Sequence, residues 1–131
     1  MIPSKTYDEY KNVNHDLFDQ IPVHWELFKA AHLFNNIGSG TTPKSDNHEF
    51  YEDGDVFWLT TGDLNDKNLT SCDGKITRKA LEEHLALKEY PEGSVAIAMY
   101  GATIGKTAIL QFRTTTNQAC CVFPASDKIH N

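Results

Sequence analysis

Apolar and polar positions follow a strand-like pattern most clearly between residues 94 and 123. The run at 94–99 is almost wholly apolar, has the length of a buried strand and is bounded by turn residues. Segments 106–112 and 117–123 are further strand candidates, because both combine aliphatic side chains with β-branched or aromatic ones. Gly101 and Gly105 bracket the first connection, where a positive φ or a close backbone approach is expected. This segment predicts an antiparallel meander.

Shorter elements are predicted upstream. Residues 56–60 form a strand pattern, and 30–34 suits a short helix. Apolar positions between 78 and 87 repeat near the helical period, and Thr77 is placed to cap that helix. We therefore expect an α+β fold, in which a mostly antiparallel bent sheet carries a few short helices.

The front of the chain is predicted to be an irregular or short-helical lead over residues 1–20. Its apolar residues recur at roughly helical intervals, which favours packing against the main body. The expected core residues from this region and the next are Tyr10, Leu17, Phe18, Trp25, Leu27 and Phe28. With 131 residues in all, the chain is expected to form one domain, 1–131.

Two polar segments are predicted to be loops. Residues 38–47, GSGTTPKSDN, are rich in glycine and hydroxyl side chains. Residues 60–66 leave a strand as a polar turn, in which Asp63 is suited to capping backbone N–H groups. Solvated connection is the ordinary role of such loops, and contact with a ligand is the alternative.

The charge distribution argues against a strongly basic binding surface. The net charge is −6, and residues 1–60 carry it, with four Lys against ten Asp and Glu. Residues 61–131 balance eight basic against eight acidic side chains. Nucleic-acid binders usually have a basic footprint, so composition alone does not predict DNA as a partner.

Several motifs for other chemistry are weak. GATIGKT, at 101–107, resembles a phosphate-binding loop, but it has three residues between its glycines where four are needed, and a strand pattern follows it. No Cys, His or carboxylate residue follows His24 or His32 in the sequence in a metal-site pattern, which favours packing or surface roles for both. The adjacent Cys120 and Cys121 should point to opposite faces of a strand, which favours packing over a disulfide and fits a reducing cytoplasm. No pattern indicates a catalytic site.

Five blocks of the sequence, in order, resemble the target-recognition domain of type I restriction–modification specificity subunits. They are IPVHWE at 21–26, GSGTTP at 38–43, DVFWL at 55–59, YPEGS at 90–94, and AMYGATIGK at 98–106 with TTNQACC at 115–121. The resemblance covers about residues 7–123. Members of that family read one half of a split DNA sequence in each target-recognition domain.

The resemblance implies duplex DNA binding through loops in the major groove. Lys44, Lys106 and Arg113 are then expected to contact phosphates. Expected base-edge contacts come from residues with hydroxyl or amide side chains: Thr60, Thr61, Asn65, Tyr100, Asn117 and Gln118. Asn117 and Gln118 are equally well explained as polar residues that hold the strands together. Pro43, Gly101 and Gly105 are expected to shape turns.

The resemblance also implies a non-catalytic role within a larger complex. Adenine methyltransferase subunits would use S-adenosylmethionine, and motor-nuclease subunits would use ATP and Mg²⁺. No cofactor is expected on this chain, and no membrane partner. Domains of the family continue past the position of Phe123 to a long helix, so the chain is expected to be truncated. Self-association or pairing with another specificity chain is the expected result.

Two other functions are the alternatives to DNA recognition. One is an interaction module that binds methyltransferase or specificity subunits without reading DNA, and the other is a nucleotide-binding enzyme that uses 101–107.

Overall fold

The computed structural model describes residues 6–127, and within them nine short strands and two short α-helices are connected by loops and 3₁₀ turns. The strands are β1 Tyr10–Asn12, β2 Gln20–Pro22, β3 Val56–Leu59, β4 Asn68–Leu69, β5 Lys75–Ile76, β6 Val95–Ala98, β7 Thr107–Leu110, β8 Thr115–Thr116 and β9 Cys120–Phe123. The helices are α1 Ala30–Leu33 and α2 Arg78–Glu83, and 3₁₀ turns lie at His48–Phe50 and Thr61–Asp63. The predicted fold class, α+β with mostly antiparallel pairing, is confirmed.

The strands are distributed over three sheets. β1 and β2 form a separate hairpin, β5-β3-β8 form a three-stranded sheet, and β4-β7-β6-β9 form a four-stranded sheet. Most pairs are antiparallel, but β3 runs parallel to β8 and β4 runs parallel to β7. The main apolar cluster includes Leu59 from the three-stranded sheet and Leu110 and Val122 from the four-stranded sheet, so it joins the two sheets.

The predicted meander over 94–123 is wrong in its strand order. β9 pairs with β6 and not with β7, in the register Ala98↔Cys120. The cause lies in β8. After β7 the chain leaves the four-stranded sheet, and β8 pairs in parallel with β3 in the register Trp58↔Thr115. The Thr115 hydroxyl donates to the Phe57 carbonyl at 2.8 Å, which strengthens this crossing. The chain therefore returns to the free edge of β6.

Helix α2 begins as expected and ends early. The Thr77 Oγ1 atom accepts the Ala80 N–H at 3.2 Å, which confirms the predicted cap. The helix packs Ala80 into a second apolar cluster with Phe50, Val56 and Ile76. It stops at Glu83, because the backbone of His84 is extended. The prediction that the helix continues over residues 84–87 is therefore wrong.

The front of the chain differs most from the prediction. Residues 10–22 form the β1–β2 hairpin and not a short helix, and residues 1–5 of the predicted lead lie outside the described residues. The segment between the strands is rich in Asn and Asp, which compete with helical hydrogen bonds, and the Val13 N–H donates to the Asp19 carbonyl at 2.8 Å.

The predicted core role of that region is also wrong. Ile21 is buried at 6 % exposure, but the side chains expected in the core are 39–82 % exposed. The hairpin pairs only with itself, so its side chains lack a second sheet to cover them. The exposed residues that were expected to be buried are Tyr10, Leu17, Phe18, Trp25, Leu27 and Phe28.

Candidate nucleic-acid interface

Two parallel strands bring polar loops to one end of the molecule. Because β3 and β8 run in the same direction, Thr60 and Asn117 leave neighbouring strands at the same edge. The Asn117 N–H donates to the Leu59 carbonyl at 3.0 Å, which keeps the two exits together. The Asn117 side chain is half-buried, and its Oδ1 atom accepts the Ala119 N–H at 3.1 Å. Asn117 therefore shapes the turn that presents the exposed Gln118.

A capped turn follows β3. The Asp63 carboxylate accepts the Thr60 N–H at 2.8 Å and the Thr60 hydroxyl at 3.1 Å, which confirms the predicted capping role of Asp63. Thr60 and Thr61 are both half-buried, and the hydroxyl proton of Thr60 is engaged by Asp63. Thr60 therefore holds the turn in position.

The 38–44 loop is anchored along its length. The Gly40 N–H donates to the Asn117 carbonyl at 3.2 Å, and the Trp58 indole N–H donates to the Thr41 carbonyl at 3.1 Å. Pro43 is buried, and its carbonyl accepts the Tyr51 hydroxyl. This segment is therefore a fixed part of the surface, from which Lys44 extends into solvent.

Thr42 is a residue that sequence reasoning missed. Its hydroxyl donates to the Gln118 Oε1 atom at 2.7 Å, across 76 positions of sequence. The contact orients the Gln118 amide and leaves its Nε2 hydrogens available. Only the tertiary fold brings the two residues together, so no local sequence signal predicts it.

The β6–β7 hairpin forms the next part of this end. The Met99 N–H donates to the Ala119 carbonyl at 2.9 Å, so Tyr100 lies beside the Gln118 turn. Gly101 and Gly105 have φ of +88° and +83°, as their predicted turn role requires. Residues 107–110 then form β7, so no helix follows the GATIGKT motif and the geometry of a phosphate-binding loop is absent here.

Residues 65–67 flank the start of β7. Asp66 exchanges two hydrogen bonds with Thr107, in which its N–H donates at 2.8 Å and its carboxylate accepts at 2.9 Å. Asn65 bonds the Lys67 N–H through Oδ1 at 3.0 Å, which fixes the turn. Lys67 is exposed, and its carbonyl accepts the Ile109 N–H of β7 at 3.1 Å. Sequence reasoning missed this lysine, because nothing in the sequence links it to β7.

Arg113 lies away from the other candidates. β7 begins directly after Lys106 and is about 10 Å long, and Arg113 follows its other end. The neighbouring Thr114 exchanges backbone hydrogen bonds with Tyr90 at 2.8 and 3.2 Å, at the far end of the sheet. The structure therefore brings together the predicted candidates except Arg113.

We call this end of the molecule the loop face. It consists of exposed side chains from the loops 38–44, 60–67, 99–106 and 117–119, with Thr60, Thr61 and Asn117 beneath them. Its larger exposed members are Thr42, Lys44, Asn65, Asp66, Lys67, Met99, Tyr100, Ile104, Lys106 and Gln118.

The loop face has a small excess of positive charge. Lys44, Lys67 and Lys106 are exposed, while the Asp63 and Asp66 carboxylates accept backbone N–H groups. Such an arrangement combines a few cations with many hydrogen-bonding groups, and it suits a ligand that offers both phosphates and patterned donors and acceptors.

Cys72 and Cys120 are buried in the main apolar cluster, and Cys121 is half-buried. Burial raises the pKa of the Cys120 thiol to about 12 and that of Cys72 to about 11, so both are protonated at neutral pH. Within residues 6–127, no three His, Cys, Asp or Glu side chains are grouped to hold a metal ion. Over the same residues, no helix has the length and apolar character needed to cross a bilayer.

Comparison with known proteins gives consistent matches. A family model described as the type I restriction modification DNA specificity domain matches residues 22–131. The chain is similar to a protein from a structural study of complex assembly and conformational transition in the type I R-M system. The two are 17 % identical, with a TM-score of 0.59 over 89 % of this chain and 27 % of that one.

A second similar structure is the crystal structure of the HsdS subunit from Thermoanaerobacter tengcongensis. It is 16 % identical, with a TM-score of 0.58 over 88 % of this chain and 27 % of that one. The chain therefore spans about a quarter of the length of both proteins, and the likeness supports the fold.

Proposed function

Because the chain belongs to the family of type I restriction modification DNA specificity domains, we propose that it binds duplex DNA in a sequence-specific manner through the loop face. The observation that carries the proposal is the convergence of loops from both main sheets on one surface. There Thr42 orients Gln118, and the same loops carry the exposed Lys44, Lys67 and Lys106.

The loop face offers suitable chemistry for the major groove. Each base pair displays a distinct pattern of donors and acceptors there, and amide or hydroxyl side chains can match it. Gln118 keeps two amide hydrogens free for an acceptor such as guanine O6 or purine N7, since its oxygen is engaged by Thr42. Asn65 and Tyr100 extend the polar contacts, and Lys44, Lys67 and Lys106 bind phosphates on either side.

The chain acts as a specificity component, and the chemistry belongs to its partners. Adenine methyltransferase subunits that use S-adenosylmethionine modify the bound site, and motor-nuclease subunits that use ATP and Mg²⁺ restrict unmodified DNA. Family membership supports this division of labour.

Selection from a randomised duplex library tests the proposal. The protein is incubated with the library at low and moderate salt, alone and with a type I methyltransferase subunit, and bound duplexes are sequenced. Enrichment of one short motif is expected. Absence of any enriched motif under all four conditions would refute sequence-specific binding.

Salt dependence of the affinity then tests the loop face itself. Replacing Lys106 with Gln should lower the slope of log K against log salt by about 0.9, the value for one lost phosphate contact on duplex DNA. Arg113→Gln is the matched control, because Arg113 is exposed but lies at the opposite end of β7. Equal effects of the two variants would contradict the assignment.

A second candidate function is binding of a protein subunit through the front of the chain. Eight large apolar side chains between Tyr7 and Phe28 are at least 36 % exposed, and the first 60 positions carry the whole net charge of −6. Apolar clusters of this kind mark protein interfaces. A methyltransferase subunit or another specificity chain with a basic, apolar surface is the partner that this charge favours.

Co-purification distinguishes this function. The double variant Leu17→Ser, Phe28→Ser should lose association with a co-expressed methyltransferase subunit if the front binds it, while Leu85→Ser, an exposed leucine beyond helix α2, should not. Retained association in the double variant would exclude the front as the interface.

A further inference from the structure

The tip of the β6–β7 hairpin is the apolar part of an otherwise polar loop face. Met99, Tyr100 and Ile104 are 41 %, 51 % and 67 % exposed, within six consecutive residues. Apart from Ala102 and the glycines, the other exposed members of the face carry amide, hydroxyl, ammonium or, in Asp66, carboxylate groups. An aliphatic side chain at this position has no hydrogen bond to offer, so any contribution it makes to DNA reading must come from apolar contact.

The tip is held in one conformation by its own backbone. The Ile104 N–H donates to the Gly101 carbonyl at 3.2 Å, and the Gly105 N–H donates to the Ala98 carbonyl at 3.0 Å. The Lys106 N–H donates to the Thr103 carbonyl at 3.0 Å, which closes a further turn. Ile104 is therefore presented in a fixed place beside Lys106, and binding does not have to order the loop first.

The chemistry of the major groove names the group that Ile104 can contact. Base edges there display N7, O6 and O4 acceptors and amino donors, and the only apolar group is the C5-methyl group of thymine. We propose that Ile104 determines specificity at one position of the half-site by packing against a thymine methyl group, while Lys106 holds the adjacent phosphate. This inference rests on the proposed DNA-reading function.

Replacing thymine with deoxyuridine in the selected half-site, one position at a time, tests the contact. The change removes only the methyl group and leaves the hydrogen-bonding pattern of the base intact. Loss of one buried methyl group corresponds to about a fourfold weaker affinity. We expect this effect at one thymine for the native protein, measured by equilibrium binding to each duplex.

Two variants assign the effect to the side chain. Ile104→Ala should bind the thymine duplex more weakly and should no longer distinguish thymine from deoxyuridine at that position. Leu85→Ala is the matched control, because Leu85 is 94 % exposed but lies beyond α2, outside the loop face. It should keep the native discrimination, and the thermal unfolding midpoint of both variants should equal that of the native protein.

The outcomes separate this inference from the function on which it rests. A half-site without thymine, equal binding of every deoxyuridine duplex, or unchanged discrimination in Ile104→Ala would overturn the thymine contact and leave the DNA-reading function standing. Failure to enrich any motif from the library would overturn both.

Discussion

Replacing Gly40 with alanine tests the packing that joins the 38–44 loop to β8. An ideal Cβ at Gly40 would lie 1.8 Å from the Thr116 carbonyl oxygen and 2.7 Å from its carbonyl carbon. These are backbone atoms of a buried strand, so the loop itself must move away. Overpacking of a core costs about 1–3 kcal/mol, and the weakened Gly40–Asn117 hydrogen bond adds about 1 kcal/mol. We expect the free energy of unfolding to fall by about 3 kcal/mol.

Gly62→Ala provides the control. Its Cβ would have its nearest neighbour at 3.8 Å, the Thr60 Oγ1 atom, and Gly62 does not have a positive φ. This variant should stay within about 0.5 kcal/mol of the native protein. In a urea titration with an m-value of about 2 kcal/mol/M, the Gly40 variant should unfold about 1.5 M earlier. Equal midpoints for the two variants would show that the loop is not packed against β8.

Other predictions concern the loop face and the thiols. Thr42→Val should leave the unfolding midpoint unchanged but weaken binding to the selected half-site about fivefold, because Gln118 loses its orienting hydrogen bond. Native affinity in this variant would refute the role of Thr42 in orienting Gln118. Iodoacetamide at pH 8 should modify the half-buried Cys121 before Cys120, as followed by mass spectrometry, because burial raises the pKa of Cys120 to about 12. Equally fast reaction of both thiols would contradict the burial of Cys120. The thiol ionises near pH 9 in the unfolded chain, whereas folded Cys120 stays protonated. Thermal stability should therefore fall as the pH rises from about 9 towards 12, and it should fall less steeply in Cys120→Ala. Parallel pH profiles for the two proteins would show that Cys120 does not contribute.

Local patterns were sufficient for elements whose cause is local. The apolar runs at 56–60 and 94–99 predicted β3 and β6, and Thr77 predicted the start of α2, because burial and capping are set by nearby residues. Strand order was not predictable in this way. A period of two indicates a strand but not its neighbour, and the crossing of β8 to β3 depends on contacts between distant segments.

The front of the chain shows a second limit of pattern reading. Aromatic and aliphatic residues such as Trp25 and Phe28 ordinarily indicate a core, yet both are about half exposed. Hydrophobicity alone does not distinguish a residue buried in the domain from one available to a partner.

The candidate site was predictable as a set of loops, but its geometry was not. The polar composition of 38–47 and 60–66 indicated surface loops, and residues 38–44 and 60–66 lie on the loop face. The Thr42–Gln118 contact and the separation of Arg113 from Lys106 follow from topology, since β7 carries the chain from one end of the sheet to the other.

Hydrogen–deuterium exchange with and without the selected duplex tests the central claim most directly. Binding through the loop face should slow amide exchange in segments 38–44, 60–67, 99–106 and 117–119, while exchange around Leu17 and Arg113 stays unchanged. Protection confined to the β1–β2 hairpin or to the end of the sheet at Arg113, with none in those four loops, would contradict DNA reading by the loop face.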